Sequence, residues 1–401
     1  MYIYTNYMND LFYYDKYLKY KQKYINLKFG GAVEYVGKYF NVSTNNIEFS
    51  TALELELIKK GLIKKDKKNQ TKNKFFNDYP VYFSFISGEA AITKNLENND
   101  SDKKRTKYNI DGNCEWLNIL KGLSKQIICD KYILCYKFKD HKFIKNSDFI
   151  YNETLLDNTT INTNLNCITS NDAKIRILKP GSNSFRGKGI KIINTIDKDL
   201  AVEQIKTWLS NPINIDYKKW ILQDYILNPD LLEGYKFHIR VIILVIAGKE
   251  KPTPISKVYM CKNINYAIAQ EPYHLNDLSD LDQFNNKNIH DTHYNEKKPY
   301  TFPDKLPDGW TPKEIPNILK DIEEIISIIY DGQNRFFPDW NAKNGYELFG
   351  ADIIYENKQP YLLEINSDMG LASNQSVIIP RLLDIVLDNN FKGNETFIKI
   401  K

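Results

Sequence analysis

Apolar residues cluster into short runs in the second half of the chain, and their pattern predicts β-strands there. AKIRILKP and GIKIIN are typical of two strands that flank a small polar loop, and KWILQDYI is typical of a third. The run KFHIRVIILVIAG is rich in Val and Ile, which predicts a central strand buried on both faces. ELFGADIIY and PYLLEIN are joined by the short polar turn ENKQ, so they predict an antiparallel hairpin.

Two segments in the same half show the periodicity of amphipathic helices. DKDLAVEQIKTWLS has acidic residues in its first turn, as helix N-termini favour. TPKEIPNILKDIEEIISIIYDGQ places isoleucines on one face, namely Ile318, Ile322, Ile325, Ile326 and Ile329. Between the strands and this second helix, residues 262–309 are polar with few periodic apolar positions.

The N-terminal stretch YYDKYLKYKQKYINLKFGG predicts a short helix with one aromatic face. Its apolar positions follow a four-three spacing, at Tyr13, Tyr17, Tyr20, Tyr24 and Leu27. Gly30 and Gly31 would end the helix. The segment is either an amphipathic helix docked on the protein or a targeting or self-association segment.

Composition narrows the class of protein and its partners. The chain has 401 residues, enough for two or three domains, and 42% of them are hydrophobic, as in an ordinary globular protein. The net charge is only +5, from 55 basic and 50 acidic residues, so we predict no nucleic-acid partner. No apolar run approaches the length of a membrane span, and the first residues lack the apolar core of a signal peptide, so we predict no membrane partner.

The cysteines indicate a reducing, cytosolic-type compartment. They are odd in number and scattered, and no two are spaced as C-x-x-C: Cys114, Cys129, Cys135, Cys167 and Cys261. Such a set predicts reduced core thiols, and neither a zinc site nor a disulfide framework.

The stretch KPGSNSFRGKGI looks like a phosphate-binding loop but does not fit a P-loop. A P-loop needs four residues between its glycines and a hydroxyl after its lysine. Here five residues separate Gly181 from Gly187, and Lys188 is followed by Gly189. The pattern instead predicts a mobile, basic flap between two strands, with Lys179 at the end of the first strand.

The hairpin predicted above carries acidic and amide side chains. Glu364 and Asn366 are two residues apart on one strand, so they point to the same side. If the turn centres near Lys358, Asp352 lies directly across from Glu364. Buried carboxylates need a cation between them, and hard oxygen ligands of this kind suit Mg²⁺. The alternative is a solvent-facing strand edge with incidental acids.

Together these features resemble the arrangement of the ATP-grasp superfamily, and within it the chain resembles the tubulin tyrosine ligase-like family. The likeness spans roughly residues 174–390 in four stretches: ILKPGSNSFRGKGI, WILQDYILNPDLLEGYKFHIRVIILV, NIHDTHYNEK and ELFGADIIYENKQPYLLEINSDMGL. The tyrosine-rich start and the Asn/Lys/Ile/Tyr-rich composition are also similar to those of giant DNA virus proteins.

The resemblance implies an α/β (α+β) ATP-grasp fold in which two α/β subdomains close over ATP. The expected parts are the N-terminal helix in residues 1–31, a small α/β domain in residues 32–150, a central subdomain in residues 151–232, and a C-terminal subdomain in residues 233–401 that carries the metal-binding hairpin.

The resemblance also implies roles for individual residues. It assigns phosphate contact to Lys179, and it assigns the flap to Arg186, Gly187, Lys188 and Gly189. It assigns the hinge that pairs with the adenine edge to Gln223, Asp224, Tyr225 and Ile226. Lys236 and Arg240 would reach ribose and phosphate as the catalytic cations. Asp352, Glu364 and Asn366 would hold Mg²⁺, with two ions expected.

The implied activity is an ATP- and Mg²⁺-dependent ligation of an amino acid to a protein carboxylate. ATP phosphorylates the acceptor carboxylate, and the amine of a free amino acid, such as glutamate in polyglutamylation, displaces the phosphate. The implied acceptor has an acidic tail, with tubulin as one candidate. The implied location is the cytoplasm, which for a viral protein means the host cytoplasm, the virus factory or the virion.

The sequence departs from the family pattern on the substrate side. His238 replaces the aspartate of the family's K-F-D-x-R, and His293 stands where its H-L-T-N stretch has asparagine. KVYMCKNINYAIA offers no arginine for the carboxylate of the amino acid, and Lys262 is the nearest cation. Two alternatives therefore stay open, a nucleotide-binding scaffold or virion-associated protein that has lost ligation, and an ATP-grasp ligase that acts on a small molecule.

Overall fold

A computed structural model describes the chain in segments. They are residues 40–43, 55–56, 59, 81–84, 117–118, 129–151, 175–181, 188–211, 213–214, 217–247, 255–274, 286–290, 300–331, 345–366, 375–387 and 396–400. Several predictions lie outside these residues, namely the N-terminal helix, Arg186 and Gly187 of the flap, His293, Cys114 and Cys167.

Strands make up most of the described structure. They are β1 Phe40–Ser43, β2 Val81–Ser84, β3 Leu117–Asn118, β4 Ser147–Tyr151, β5 Ile175–Pro180, β6 Lys191–Asn194, β7 Lys219–Asp224, β8 Leu231–Leu232, β9 Tyr235–Ala247, β10 Ile255–Cys261, β11 Ile264–Pro272, β12 Thr301–Phe302, β13 Gly345–Glu356, β14 Gln359–Asn366 and β15 Phe397–Lys399. The helices are α1 Lys131–Lys137, α2 Lys198–Leu209, α3 Lys287–His290, α4 Ile315–Asp331, preceded by a 3₁₀ turn at Pro312–Glu314, and α5 Gln375–Leu387. The predicted mixed α/β class is confirmed.

A nine-stranded sheet is built around β9. The first half of β9 pairs with β8 and β11, and the second half lies between β10 and β13. Its Val and Ile side chains are buried on both faces, from Ile239 and Val241 to Val245. The predicted central strand is therefore confirmed, and its burial explains why the run is apolar without alternation.

Helix α4 covers this sheet with its isoleucine face. A capping box begins the segment, in which the Glu314 side chain accepts from the backbone N–H of Thr311. Four of the predicted isoleucines are buried, namely Ile318, Ile322, Ile325 and Ile326. Ile328 is buried as well, although the predicted face did not include it, and the Ile329 side chain lies outside the described residues.

A four-stranded antiparallel sheet has the order β4-β7-β5-β6. Helix α2 packs Ala201, Ile205 and Leu209 against Trp220 and Leu222 of β7. Asp197 caps α2 by accepting from the backbone N–H of Leu200. The predicted strands and the helix that follows them are thus confirmed.

The described strands cross the domain boundaries expected from the resemblance. β4 begins at Ser147, before the expected start of the central subdomain at residue 151, and pairs with β7 of the four-stranded sheet. β3, from the expected N-terminal domain, pairs in parallel with β13 of the nine-stranded sheet. The division into domains stays a prediction.

Strand β11 lies in the polar stretch of residues 262–309, where the sequence analysis identified no strand. Ile264, Tyr266 and Ile268 point inward and are buried, while the intervening residues are partly exposed. This alternation is the signal of a half-buried strand. The residues from His274 to the second amphipathic helix are mostly polar. Over the whole stretch of residues 262–309 they therefore concealed the short alternation of β11.

Two further findings bear on the class of protein. Cys129, Cys135 and Cys261 are free thiols, of which Cys135 and Cys261 are buried, as the sequence predicted. Among the helices in the described ranges, none combines the length and apolarity needed to cross a membrane.

The flap ends at a tightly packed glycine. Gly189 adopts φ +77°, and a Cβ added there would lie 2.7 Å from Pro180 Cγ. The Trp208 indole donates to the Gly189 carbonyl at 2.9 Å, which fixes the same residue to α2. Both ends of the β5–β6 connection are therefore held together beside Lys179.

We predict that Gly189→Ala destabilises the protein more than Gly309→Ala does. Both glycines have positive φ, but nothing lies within 4 Å of a Cβ at Gly309. Gly309→Ala should lower the free energy of unfolding by about 1–2 kcal/mol, and Gly189→Ala by a further ~1–3 kcal/mol from overpacking against Pro180. Urea unfolding of the two variants checks this, and equal losses would contradict the close packing.

Candidate functional site

The carboxylate hairpin, formed by β13 and β14, has the register that the sequence predicted. Asp352 pairs with Glu364, and Gly350 pairs with Asn366. Asn357 and Lys358 form the turn with φ of 53° and 64°. Two left-handed residues make the tight connection that matches the twist of a hairpin. Glu364 and Asn366 therefore share one face with Asp352 opposite.

Asp352 is held by an arginine from the central strand. Arg240 donates from Nε to Oδ1 at 2.7 Å and from Nη2 to Oδ2 at 2.6 Å. Such a bidentate pair is the strong form of an ion pair, and it compensates for the burial of Asp352, which is 3% exposed. His238, two residues before Arg240, has its Nε2 3.7 Å from Asp352 Oδ1.

Glu364 is held by a lysine from a different part of the chain. Lys131, in the first turn of α1, places its Nζ 2.6 Å from Glu364 Oε2. The Asn366 amide donates to Glu364 Oε1 at 2.8 Å. Burial raises the pKa of the Glu364 carboxyl, but Lys131 and Asn366 outweigh it and hold the pKa at about 2.

The hairpin brings together the oxygen donors that Mg²⁺ prefers. Among the described residues, no three His, Cys, Asp or Glu side chains are arranged to hold a metal. The set consists of two carboxylates and one amide, which suits Mg²⁺ when phosphate oxygens and water supply the remaining ligands. Arg240 and Lys131 neutralise the acids in this structure. Asp352, Glu364 and Asn366 would hold the ion, and it would neutralise phosphate charge.

Lys179 is buried next to a neutral partner. It is 6% exposed, and its Nζ donates to Gln223 Oε1 at 2.8 Å. The Gln223 amide in turn donates to Ser147 Oγ at 2.9 Å, which fixes its orientation. Burial lowers the pKa of Lys179, with Lys131 and Glu364 among the charges that act on it. The lysine of the four-stranded sheet thus lies close to the acids of the other sheet.

Lys236 is the second buried lysine of the predicted site. Its Nζ donates to the Tyr225 hydroxyl at 2.7 Å and lies 4.4 Å from the centre of the same ring. Burial lowers the pKa of Lys236 to about 7, and Glu356 counters this only in part. Lys236 and Arg240 share a face of β9, yet the first contacts the hinge and the second contacts the carboxylate hairpin.

The hinge, residues 223–226, is fixed by its own chain. The backbone N–H of Asp224 donates to Asn146 at 3.0 Å, and that of Tyr225 donates to Ile175 at 3.2 Å. The Asp224 carboxylate accepts from the fully buried Arg176. Ile226 is buried as well. An adenine contact at the hinge would therefore use carbonyl oxygens or the backbone of Ile226.

The turn of the carboxylate hairpin is tied to the chain that leaves the hinge. The backbone N–H of Lys358 donates to Asp230 at 2.7 Å, and Glu356 accepts from the backbone N–H of Asn228 at 3.2 Å. Lys145 pairs with the same Glu356 at 2.6 Å. The crossing from the four-stranded to the nine-stranded sheet is thus anchored on the hairpin.

Of the flap residues, Lys188 and Gly189 are described. Lys188 is exposed, and Gly189 packs at the base of the flap. Sequence reasoning missed Lys131, because for residues 32–150 it predicted only a small α/β domain and no site residue. Asp130, whose side chain caps α1 by accepting from the Ile133 N–H, was the signal that a helix begins there. It also missed His290 and Tyr273, which pack around Tyr225.

Comparisons with known proteins show which proteins the chain is similar to. The model of the tubulin-tyrosine ligase family matches residues 118–397. The chain is 28% identical over 224 residues to the mouse (Mus musculus) tubulin monoglycylase TTLL3, covering 51% of this chain and 22% of the relative. It is 27% identical to the human (Homo sapiens) TTLL3, covering 51% and 27%. It is 29% identical to a probable alpha-tubulin polyglutamylase of Tetrahymena thermophila, covering 49% and 48%. The chain thus spans about a quarter of the length of the two glycylases.

We predict that Glu364 stabilises the metal-free fold in a pH-dependent way. Because its pKa is lowered to about 2 in the folded protein, its contribution is present above the unfolded value of about 4.3 and is lost as pH falls toward 2. Glu364→Gln should cost on the order of 3 kcal/mol at pH 7, and the difference from wild type should shrink below about pH 4.

Urea unfolding in the presence of a chelator checks this prediction. Glu203→Gln, which changes an exposed glutamate on α2, is the matched control and should stay within about 0.5 kcal/mol of wild type. A Glu364→Gln penalty that is the same at pH 7 and pH 3 would contradict the role of the Lys131 ion pair.

Proposed function

The chain belongs to the tubulin-tyrosine ligase family, and from that premise we propose that it is an ATP- and Mg²⁺-dependent ligase that joins an amino acid to a protein carboxylate. The family has an ATP-grasp-like fold, in keeping with the mixed α/β structure. Relatives of the chain are named as glycylase, polyglutamylase and tyrosine ligase, which are all ligases at the coarse level.

The observation that carries the proposal is the contrast between two kinds of cation at the site. Arg240 and Lys131 are paired with carboxylates. Lys179 and Lys236 are buried, and within the described residues each donates to a neutral oxygen and forms no ion pair with a carboxylate. A buried ammonium without a counter-ion is costly, so both positions favour an anionic ligand. A nucleotide polyphosphate supplies that charge.

The proposed roles of the chain's own residues follow from their charge and position. Lys179, Lys236 and Arg240 orient and neutralise phosphate oxygens, which is most of what phosphoryl transfer asks of a protein. Asp352, Glu364 and Asn366 hold Mg²⁺. The acceptor carboxylate is activated as an acyl phosphate, and the amine of the amino acid displaces phosphate. This chemistry needs no nucleophilic side chain.

Glycine is the first donor to test, because two of the relatives that the chain matches are named as monoglycylases. Glutamate follows, since a third is named as a polyglutamylase. We propose an acidic protein tail as the acceptor, with tubulin first. The proposed setting is the cytoplasm, and for a viral protein the host cytoplasm, virus factory or virion.

Ligation by the purified protein tests the proposal. Incubation with ATP, Mg²⁺ and mixed amino acids should add residue-mass increments to tubulin or to a glutamate-rich tail peptide, read by intact-mass spectrometry, with release of ADP. Glu364→Gln should reduce ADP release by at least about a hundredfold. Nucleotide binding without ADP release under any mixture would identify a nucleotide-binding scaffold instead. ADP release that depends only on a small carboxylic acid would identify a small-molecule ligase.

A second prediction concerns Lys179 alone. Lys179→Gln should weaken binding of a non-hydrolysable ATP analogue by roughly 10-fold to 150-fold, because a charge-assisted hydrogen bond contributes about 1.5–3 kcal/mol. Lys320→Gln, at an exposed position on α4, is the control and should leave the Kd unchanged. Equal affinity of the Lys179→Gln protein and wild type would remove Lys179 from the phosphate site.

A further inference from the structure

Lys236 lies in a small aromatic cage formed by Tyr225, Tyr273 and His290. Its Nζ is 4.4 Å from the centre of the Tyr225 ring and 5.8 Å from that of Tyr273. His290 closes the cage with its ring edge-on to both tyrosines, at centroid distances of 5.8 Å and 6.0 Å. The three side chains come from the hinge, from the end of β11 and from α3, so the cage exists only in the folded protein.

The hydrogen bonds in the cage run in one direction. Lys236 donates to the Tyr225 hydroxyl at 2.7 Å. A protonated lysine has no acceptor, so the tyrosine oxygen must accept. In the tautomer that leaves Nδ1 of His290 unprotonated, the hydroxyl proton of Tyr225 is directed to this nitrogen, 2.5 Å away, while Tyr273 is a further hydrogen-bond neighbour of the Tyr225 hydroxyl. By accepting this proton, His290 keeps a lone pair of Tyr225 pointed at the lysine.

Helix α3 is held in place by a separate set of contacts. Glu271, at the end of β11, accepts from the Asn286 amide at 2.8 Å and from the Asn288 amide at 2.8 Å. Tyr273 is fixed through its hydroxyl, which donates to the Leu227 carbonyl at 2.7 Å. The positions of His290 and Tyr273 are therefore set by the fold before any ligand binds.

The cage offers little compensation for the positive charge of Lys236 before an anion binds. Among the described residues, the titratable groups around Lys236 are Tyr225, Tyr273 and His290, with Glu356 as the carboxylate that acts on it from a distance. Burial raises the pKa of both tyrosines, so their hydroxyls stay neutral. Burial lowers the pKa of Lys236 to about 7. Rings and a neutral phenol thus surround a group that is only partly charged at neutral pH.

We propose that Tyr225 and His290 are positioning residues for Lys236, and that the lysine they hold takes up one proton from solvent when a nucleotide phosphate binds beside it. The negative phosphate favours the ammonium, and Tyr225 already presents the oxygen that an ammonium needs. Nucleotide binding is therefore coupled to proton uptake, and affinity falls as pH rises through the range in which free Lys236 loses its proton.

Titration calorimetry tests this role, which rests on the proposed nucleotide site. A non-hydrolysable ATP analogue with Mg²⁺ is bound in buffers of different ionisation enthalpy, at pH 6.0 and at pH 8.5. We expect uptake of about one proton per nucleotide at pH 8.5 and about none at pH 6.0, as a group with a pKa near 7 requires. Lys236→Arg carries a permanent charge, so its binding should show no excess uptake at pH 8.5.

Variants of the positioning residues separate this role from a purely structural one. Tyr225→Phe removes the acceptor and should lower the midpoint of proton uptake by about one pH unit, since a lost hydrogen bond of about 1–1.5 kcal/mol corresponds to that shift. His290→Ala should shift the midpoint in the same direction, and His290→Asn, which keeps an acceptor near Nδ1, should restore it. Tyr266→Phe loses a comparable hydroxyl bond, to the Lys305 carbonyl, and should leave the midpoint unchanged.

The outcomes distinguish this proposal from the proposed function. Absence of any binding heat at both pH values would refute the nucleotide site itself. Binding of the analogue with heats at pH 8.5 that are the same in all buffers would overturn the proton-coupled role alone. A midpoint that stays fixed in Tyr225→Phe would show that the hydroxyl does not position the lysine.

Discussion

Two carboxylates on facing positions of one hairpin repel each other, and the site depends on how that repulsion is balanced. Asp352 and Glu364 are paired residues of β13 and β14. Their compensating charges come from two other elements, Arg240 from the central strand β9 and Lys131 from the short helix α1. Removing either cation would leave a poorly solvated acid, which is why the site requires β9, α1 and the hairpin to come together.

Within the described part of the chain, the same site also includes two buried lysines that form no ion pair with a carboxylate. Lys179 and Lys236 rest on Gln223 and Tyr225, which are neutral. Each of these oxygens accepts one hydrogen bond from an ammonium group but does not compensate its charge. The acids and their partners form a self-contained unit, whereas the two lysines leave a demand for negative charge. The proposed polyphosphate would supply negative charge to the two lysines, and the divalent cations bound with it would supply positive charge to the acids.

The pattern of apolar and polar residues was sufficient to predict those parts of the site that lie within one segment of the chain. The alternation in PYLLEIN and the short polar turn ENKQ fixed the register of Asp352 against Glu364, and the Val and Ile content of β9 identified the central strand. Contacts between distant segments leave no such pattern. Lys131 meets Glu364 only because α1 packs beneath β7 and β14, and His290 meets Tyr225 only because Glu271 holds α3 in place. β11 was missed because the polar residues beyond it masked its alternation.

The anchoring of the hairpin turn sets the distance between the carboxylates and the chain that leaves the hinge. The chain that leaves the hinge is fastened to the turn at Asn228 and Asp230, while the carboxylates lie on the same two strands several residues away. With β-strands rising about 3.3 Å per residue, the lever from Glu356 to Asp352 is roughly 13 Å long. The paired strands β13 and β14 thus link the position of the anchored turn to the position of the carboxylates.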